Sequence, residues 1–184
     1  FGIDPDTIQE SWSEISGAIS DGTYTTKYSI GDTKAVDMGD QGIICFQIAA
    51  FDADVDENGN TIPITWVSQQ ILATSKRMNA SNTTSGGYPA SEMKTTIAGY
   101  YDRLPATLKS MIVAASKTSR DYNGGTPQDL TTNETLWLPS YREIFGGTSY
   151  EQTGPIYSGV FSSSSTRIKK RYGTGSSTYW WLRS

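Results

Sequence analysis

The sequence predicts an α+β domain in which a few short helices and a small mixed sheet share one core. Three observations carry this. An amphipathic period runs through DPDTIQESWSEISGAI, an almost continuous apolar run IICFQIAAF is bounded by turn residues, and long Ser-, Gly-, Asn- and Thr-rich stretches separate short apolar segments in the second half. A chain of 184 residues buries roughly 70% of its unfolded surface as one domain, so a sizeable core is available.

The first element is a helix with Ile8, Trp12, Ile15 and Ile19 on one stripe. Asp6 or Thr7 caps it, Thr7 and Glu10 have capping-box spacing, and Gly22 follows its end. Short strands follow at residues 28–30 and 35–38. After the turn GDQG a long strand runs over 43–55, and the tip DENGN leads into TIPITWVS, with Asn58-Gly59 as a hairpin signal. Cys45, the only cysteine, falls inside the apolar run and reads as a small buried thiol rather than a nucleophile.

The middle reads as helical. SEMKTTIAGYYDRL places Met93, Ile97 and Tyr100 or Tyr101 on one stripe behind the cap Ser91. Pro105 then restarts a helix over ATLKSMIVAA. The flanking stretches NASNTTSGGYPAS and SRDYNGGTPQDLTTNET read as surface loops. In LWLPSYREIFGG, Leu136 and Leu138 share a strand face, Pro139 ends that strand, and Ser140 with Glu143 has capping-box spacing for a short helix closed by Gly146. The final STYWWLRS reads as a strand covered on both faces, with Tyr179 and Trp181 to one side and Trp180 and Leu182 to the other. Trp137, Trp180 and Trp181 are accordingly expected in the core.

Composition excludes several functions. The net charge is -4 with a sequence pI near 4.8, which gives no basic footprint for nucleic acid or anionic lipid, and no apolar run is long enough to insert into a membrane. With no histidine, Ser-His-Asp and Cys-His machinery, imidazole metal ligation and an imidazole base are all absent. No disulfide and no cysteine zinc cluster can form from one thiol. No cofactor and no metal site are expected. Asp54, Asp56, Asn58 and Gly59 match the first half of a calcium-binding loop, but position 12 is Thr65 where a bidentate glutamate is required, so a solvated hairpin tip is the preferred reading. Arg167, Lys169, Lys170 and Arg171 form the one basic cluster, which is either a solvated face or a site for an anionic ligand. The sequons at Asn79, Asn82 and Asn133 matter only in a secreted eukaryotic protein.

The segments LWLPSYREIFG and YWWLRS, in this order, resemble an uncharacterised family of bacterial and bacteriophage domains with the pattern W-L-P-S-x-x-E followed by W-W-L-R-S. ITWVSQQILATSKRMN, SEMKTTI and LPATLKSMIVAASKTS resemble its upstream strand and helices, so that the likeness covers about Lys34 to Ser184. That family is similar to the C-type-lectin-like superfold, a small mixed sheet whose long loops present a ligand surface. The resemblance implies a C-type-lectin-like domain over 27–184, with closing strands expected beyond 184, preceded by an N-terminal helical linker or docking segment over 1–26. The superfold also hosts the formylglycine-generating enzymes, which use paired thiols. With only Cys45 here, no enzyme is expected.

The expected function is a non-catalytic binding or display module of a bacteriophage particle or bacterial surface. It would recognise a host-surface glycan or protein, with other copies or subunits of the assembly as further partners. The alternative is a structural subunit of a virion or surface assembly, completed by neighbouring chains. Loop residues 82–88, 122–125 and 172–179 mix tyrosine with Ser, Gly and Asn, a blend suited to adaptable contact. They nominate Tyr88, Tyr122, Tyr172 and Tyr179 as ligand-binding residues, with Arg167 from the basic cluster. Localisation on a virion or bacterial cell surface follows from the resemblance.

Overall fold

A computed structural model describes residues 7–122, 126–150 and 153–183. Asp6, a candidate helix cap, and residues 123–125, part of a candidate contact loop, lie outside the described residues. Helix α1 (Trp12–Ser20) starts one turn later than its periodicity suggests. Ser11 is its N-cap, accepting a hydrogen bond from the Glu14 amide while the Glu14 carboxylate accepts from the Ser11 amide. Thr7 instead bonds Thr33, and Ile8 is buried ahead of the helix with its amide donating to Thr33 O. The short helix α2 (Tyr24–Lys27) follows. Residues 28–30 form no strand.

An antiparallel sheet carries the fold in the order β1 (Thr33–Asp37), β2 (Ile43–Val55), β3 (Thr61–Ser68). Because successive strand side chains point to opposite faces, Ile48 and Ile64 pack with Ile15 and Ala18 of α1 on one side, while Ala49 and Val67 pack with Ile144, Tyr157 and Phe161 on the other. Residues 7–26 thus share one core with the sheet. A third cluster joins Val36, Met38 and Ile44 to Tyr100 and Leu104. Cys45 is fully buried at the sheet centre.

The β2–β3 register slips between Phe51 and Asp54, where Asp52 adopts a left-handed φ of 52°. Such a bulge re-aims the side chains that follow it. Asp54 is consequently directed into the core, 2% exposed, whereas Asp56 closes the hairpin by accepting from the amides of Asn58 and Asn60. The two aspartates therefore share no cation site.

Beyond the sheet, Ser91 caps α3 (Glu92–Gly99) as its sequence indicates. The helix expected over 106–115 is only α4 (Ala106–Lys109), and the chain then enters β5 (Ala115–Asp121), which pairs antiparallel with β6 (Gln128–Glu134). That hairpin occupies a stretch that reads as a loop. Residues 136–138 are not a strand, but Ser140 and Glu143 form the expected capping box of α5 (Tyr141–Phe145), closed by Gly146 at φ 73°. A two-residue parallel pairing of β4 (Gln70–Ile71) with β7 (Lys170–Arg171) ties the late chain to the sheet.

The last segment corrects a further expectation. Residues 179–183 are irregular rather than a strand, and only the Trp180 and Leu182 side is covered, by the cluster around Phe161. Tyr179 is fully exposed and Trp181 is 50% exposed, with its indole N–H donating to Lys76 O at 3.0 Å. Trp137 and Trp180 are half-buried. We expect Trp181→Ala to cost about 1 kcal/mol, mainly one hydrogen bond, against about 2–5 kcal/mol for Ile48→Ala in the sheet centre. Urea unfolding of the two variants measures the contrast.

Candidate functional site

Two features meet where α5 and the last described residues come together. The first is a buried cluster of ionised side chains. Strand alternation directs Ala115, Lys117 and Ser119 inward from β5, so Lys117 reaches the core as a charged group. There its ammonium meets Asp54, donates to Glu143 Oε1 at 2.9 Å and to the Tyr157 hydroxyl at 2.8 Å, and lies 4.2 Å from the centroid of the Trp137 ring. Asp54 also accepts from Thr65 and Tyr157. On the far side the Arg183 guanidinium forks onto both Glu143 oxygens at 2.7 and 2.9 Å, and bonds the carbonyls of Leu138 and Thr118. The side chains of Lys117, Asp54 and Glu143 are each about 1% exposed and that of Arg183 4%.

Two cations thus face two anions, and each carboxylate oxygen has a donor. Burial by itself raises the Glu143 carboxyl, but the Lys117 and Arg183 charges and their hydrogen bonds bring it down to about 2. Burial, then the charges of Glu143 and Asp54, hold the Tyr157 phenol well above its ordinary value. The charged side chains are shielded by the described residues packed around them. The cluster fixes the second feature.

That feature is an open cleft of about 500 Å³ lined by Ile144, Phe145, Arg167, Ile168, Ser177, Thr178, Tyr179, Trp180 and Leu182. One wall is α5, whose Glu143 lies in the buried cluster, and the opposite wall is the segment that ends in Arg183. The Glu143–Arg183 ion pair therefore clamps the two walls together. Arg167 stacks over the Phe145 ring at 4.8 Å, and its carbonyl accepts the Trp180 indole N–H at 3.2 Å. Beneath Trp180, Lys169 is buried between Phe161 and Trp180 and donates to Ser68 O, and burial lowers its ammonium to about 8.

Of the five nominated ligand residues the cleft unites two, Arg167 and Tyr179. Tyr88 is not a loop contact: it is 4% exposed, and burial, helped by Glu134, pushes its phenol up to about 12. The short turn ahead of the Ser91 cap folds it inward. Tyr172 is half-buried, its ring set against Gly42, where a Cβ would come within 2.5 Å. Tyr122 is exposed but lies elsewhere, donating to Ser149 O and meeting Tyr150 edge-on. The basic cluster does not converge either. Lys169 is in the core, Arg171 bonds Ala73 O and the Ser75 hydroxyl, and only Arg167 reaches the cleft.

Trp137, Ser140, Glu143 and Arg183 of the cluster, and Phe145, Trp180 and Leu182 of the cleft, all come from the two segments LWLPSYREIFG and YWWLRS. The chain belongs to the DUF6273 family. Residues 64–184 match that domain of unknown function, more than half of the chain. No curated protein and no solved structure matches it. The matched part of this DUF6273 chain contains the whole cleft and every charged member of the cluster except Asp54, which β2 supplies from outside it.

Glu143 titrates below its unfolded value, so its contribution to stability is present above about pH 4.5 and is lost as pH falls through about 2. Glu143→Gln leaves Lys117 and Arg183 facing one carboxylate and is expected to cost roughly 3–5 kcal/mol at neutral pH. Urea unfolding measured from pH 7 to pH 2 checks both points: the wild type loses its margin over the variant as the pH approaches 2.

Proposed function

We propose that this chain is a non-catalytic recognition module of C-type-lectin-like character, displayed on a bacteriophage particle or a bacterial cell surface, and that it binds a host-surface glycan or protein through the cleft between α5 and residues 177–182. One observation carries the reading: Arg167 and Tyr179 line one cleft, whose exposed Phe145 and Tyr179 rings can pack on a ligand face while Arg167, Ser177 and Thr178 take its polar groups. Binding needs no titratable catalytic group, and the ionised side chains nearby are enclosed, which fits a module without enzymatic activity.

A second reading rests on the apolar side chains beside the cleft. Ile156, Ile168 and Trp181 are also exposed, and a structural subunit of a virion or surface assembly would cover them with a neighbouring chain. The test separates the two. Arg167→Ser together with Tyr179→Ser removes exposed or half-exposed groups and should shift melting by no more than about 2–4 °C. Binding of the fluorescently labelled protein to bacterial cells and to a glycan array should be lost. Binding that survives the double change removes the cleft from recognition. Absence of binding by the wild type, with concentration-dependent oligomers in light scattering, supports the structural subunit instead.

A further inference from the structure

The arrangement around Lys117 has the parts of a condensation reaction. An amine and a carboxyl group touch, a second carboxylate holds the amine, a phenol donates to the carboxyl oxygen, and the surrounding wall is aromatic and excludes water. We infer that Lys117 and Asp54 condense into an intramolecular isopeptide bond that covalently staples β5 to the end of β2.

The two carboxylates beside Lys117 are not equivalent, and the difference selects Asp54. Glu143 is held as an anion by the forked Arg183 and by the Ser140 amide at 2.9 Å. A carboxylate fixed in this way is a poor acyl group. Asp54 is met by hydroxyls and by the amine that would attack it: its Oδ2 accepts from the Tyr157 hydroxyl at 2.9 Å and from that of Thr65, and its Oδ1 accepts from Lys117.

The step balances without a co-reactant. One proton passes from the Lys117 ammonium to the Asp54 carboxylate it touches, leaving a neutral amine beside a carboxylic acid. The Nζ lone pair adds to Asp54 Cγ. Glu143 Oε1 accepts the N–H and orients the nitrogen, and Tyr157 donates to the oxygen that gains charge. The tetrahedral adduct then loses its hydroxyl with a proton from nitrogen. A C–N bond has formed, a C–O bond has broken, and one water leaves. Enclosure holds the reacting atoms at contact and removes the solvent that would compete for them. Charge balance survives, because the Glu143–Arg183 pair remains neutral as a unit once the other pair is consumed.

The measurement is the intact mass of the purified, folded, full-length chain under denaturing conditions. The expected mass is lower than that of the sequence by one water, and proteolysis yields one branched peptide joining the β2 and β5 segments through Asp54 and Lys117. Lys117→Arg keeps the charge but cannot form the link, and should show the full mass. If that variant does not fold, Asp54→Asn replaces the lost water with ammonia, so its final mass should equal that of the wild type. A wild-type mass equal to the sequence, with only linear peptides, overturns the proposal. So does a water loss that maps to a succinimide or to any other pair of residues.

Discussion

The packing of this domain depends on satisfying four charged side chains as folding takes them out of water, before any bond forms between Lys117 and Asp54. Lys117, Asp54, Glu143 and Arg183 arrive from β5, β2, α5 and the last described segment. Burying any one of them alone would be prohibitive, and one partner removed leaves a bare charge. Each element must therefore sit where its charge is met. A purely apolar core would tolerate α5 sliding along the sheet by a fraction of a turn. A guanidinium forked onto both oxygens of a carboxylate, itself tied to a helix cap, does not. This geometry makes the cluster a device for specifying one arrangement of loop-rich chain.

Local backbone chemistry delivers the charges. Glu143 is in place because it is the N3 residue of a capping box, so one side chain both accepts the Ser140 amide at the head of α5 and closes the ion pair. Asp54 is in place because Asp52 takes a left-handed conformation, stabilised where the Tyr24 hydroxyl donates to Asp52 Oδ1 at 2.6 Å. The bulge thus links α2 on one face of the sheet to the buried charges on the other.

Much of the first half, and the caps of α3 and α5, was legible in the sequence, because these parts obey ordinary periods and spacings. The run at Ile43 to Phe51, the NG turn and the Ser91 and Ser140 caps all appear where their residue types put them. The β5–β6 hairpin was not, and the reason is physical. Its inward positions on β5 include Lys117 and Ser119, so the alternation that betrays a strand is one of polar against polar. Lys117 is hidden in the sequence for the same cause, since a lysine among Ser and Thr reads as solvated until a carboxylate is seen beside it. Asp54 was visible only as part of a failed calcium loop, and Tyr88 as one tyrosine in a Ser- and Gly-rich stretch. The terminal aromatics misled differently: alternation placed Trp180 and Leu182 correctly together, but a segment with no ladder on its outer edge leaves Tyr179 and Trp181 uncovered.

The sequence separations within the charge cluster shape how the domain can assemble. Lys117 lies 63 residues from Asp54 and 26 from Glu143, Arg183 lies 40 from Glu143, and Tyr157 lies 103 from Asp54. Closing such contacts fixes long stretches of chain before any of them is rewarded, which slows folding. During synthesis at roughly 5–20 residues per second, the sheet and α1 can collect while Asp54 still awaits its lysine and Lys117 still awaits its second carboxylate. The set is neutral only when the Arg183 guanidinium sits on both Glu143 oxygens, so these distant contacts close as one unit and not one by one.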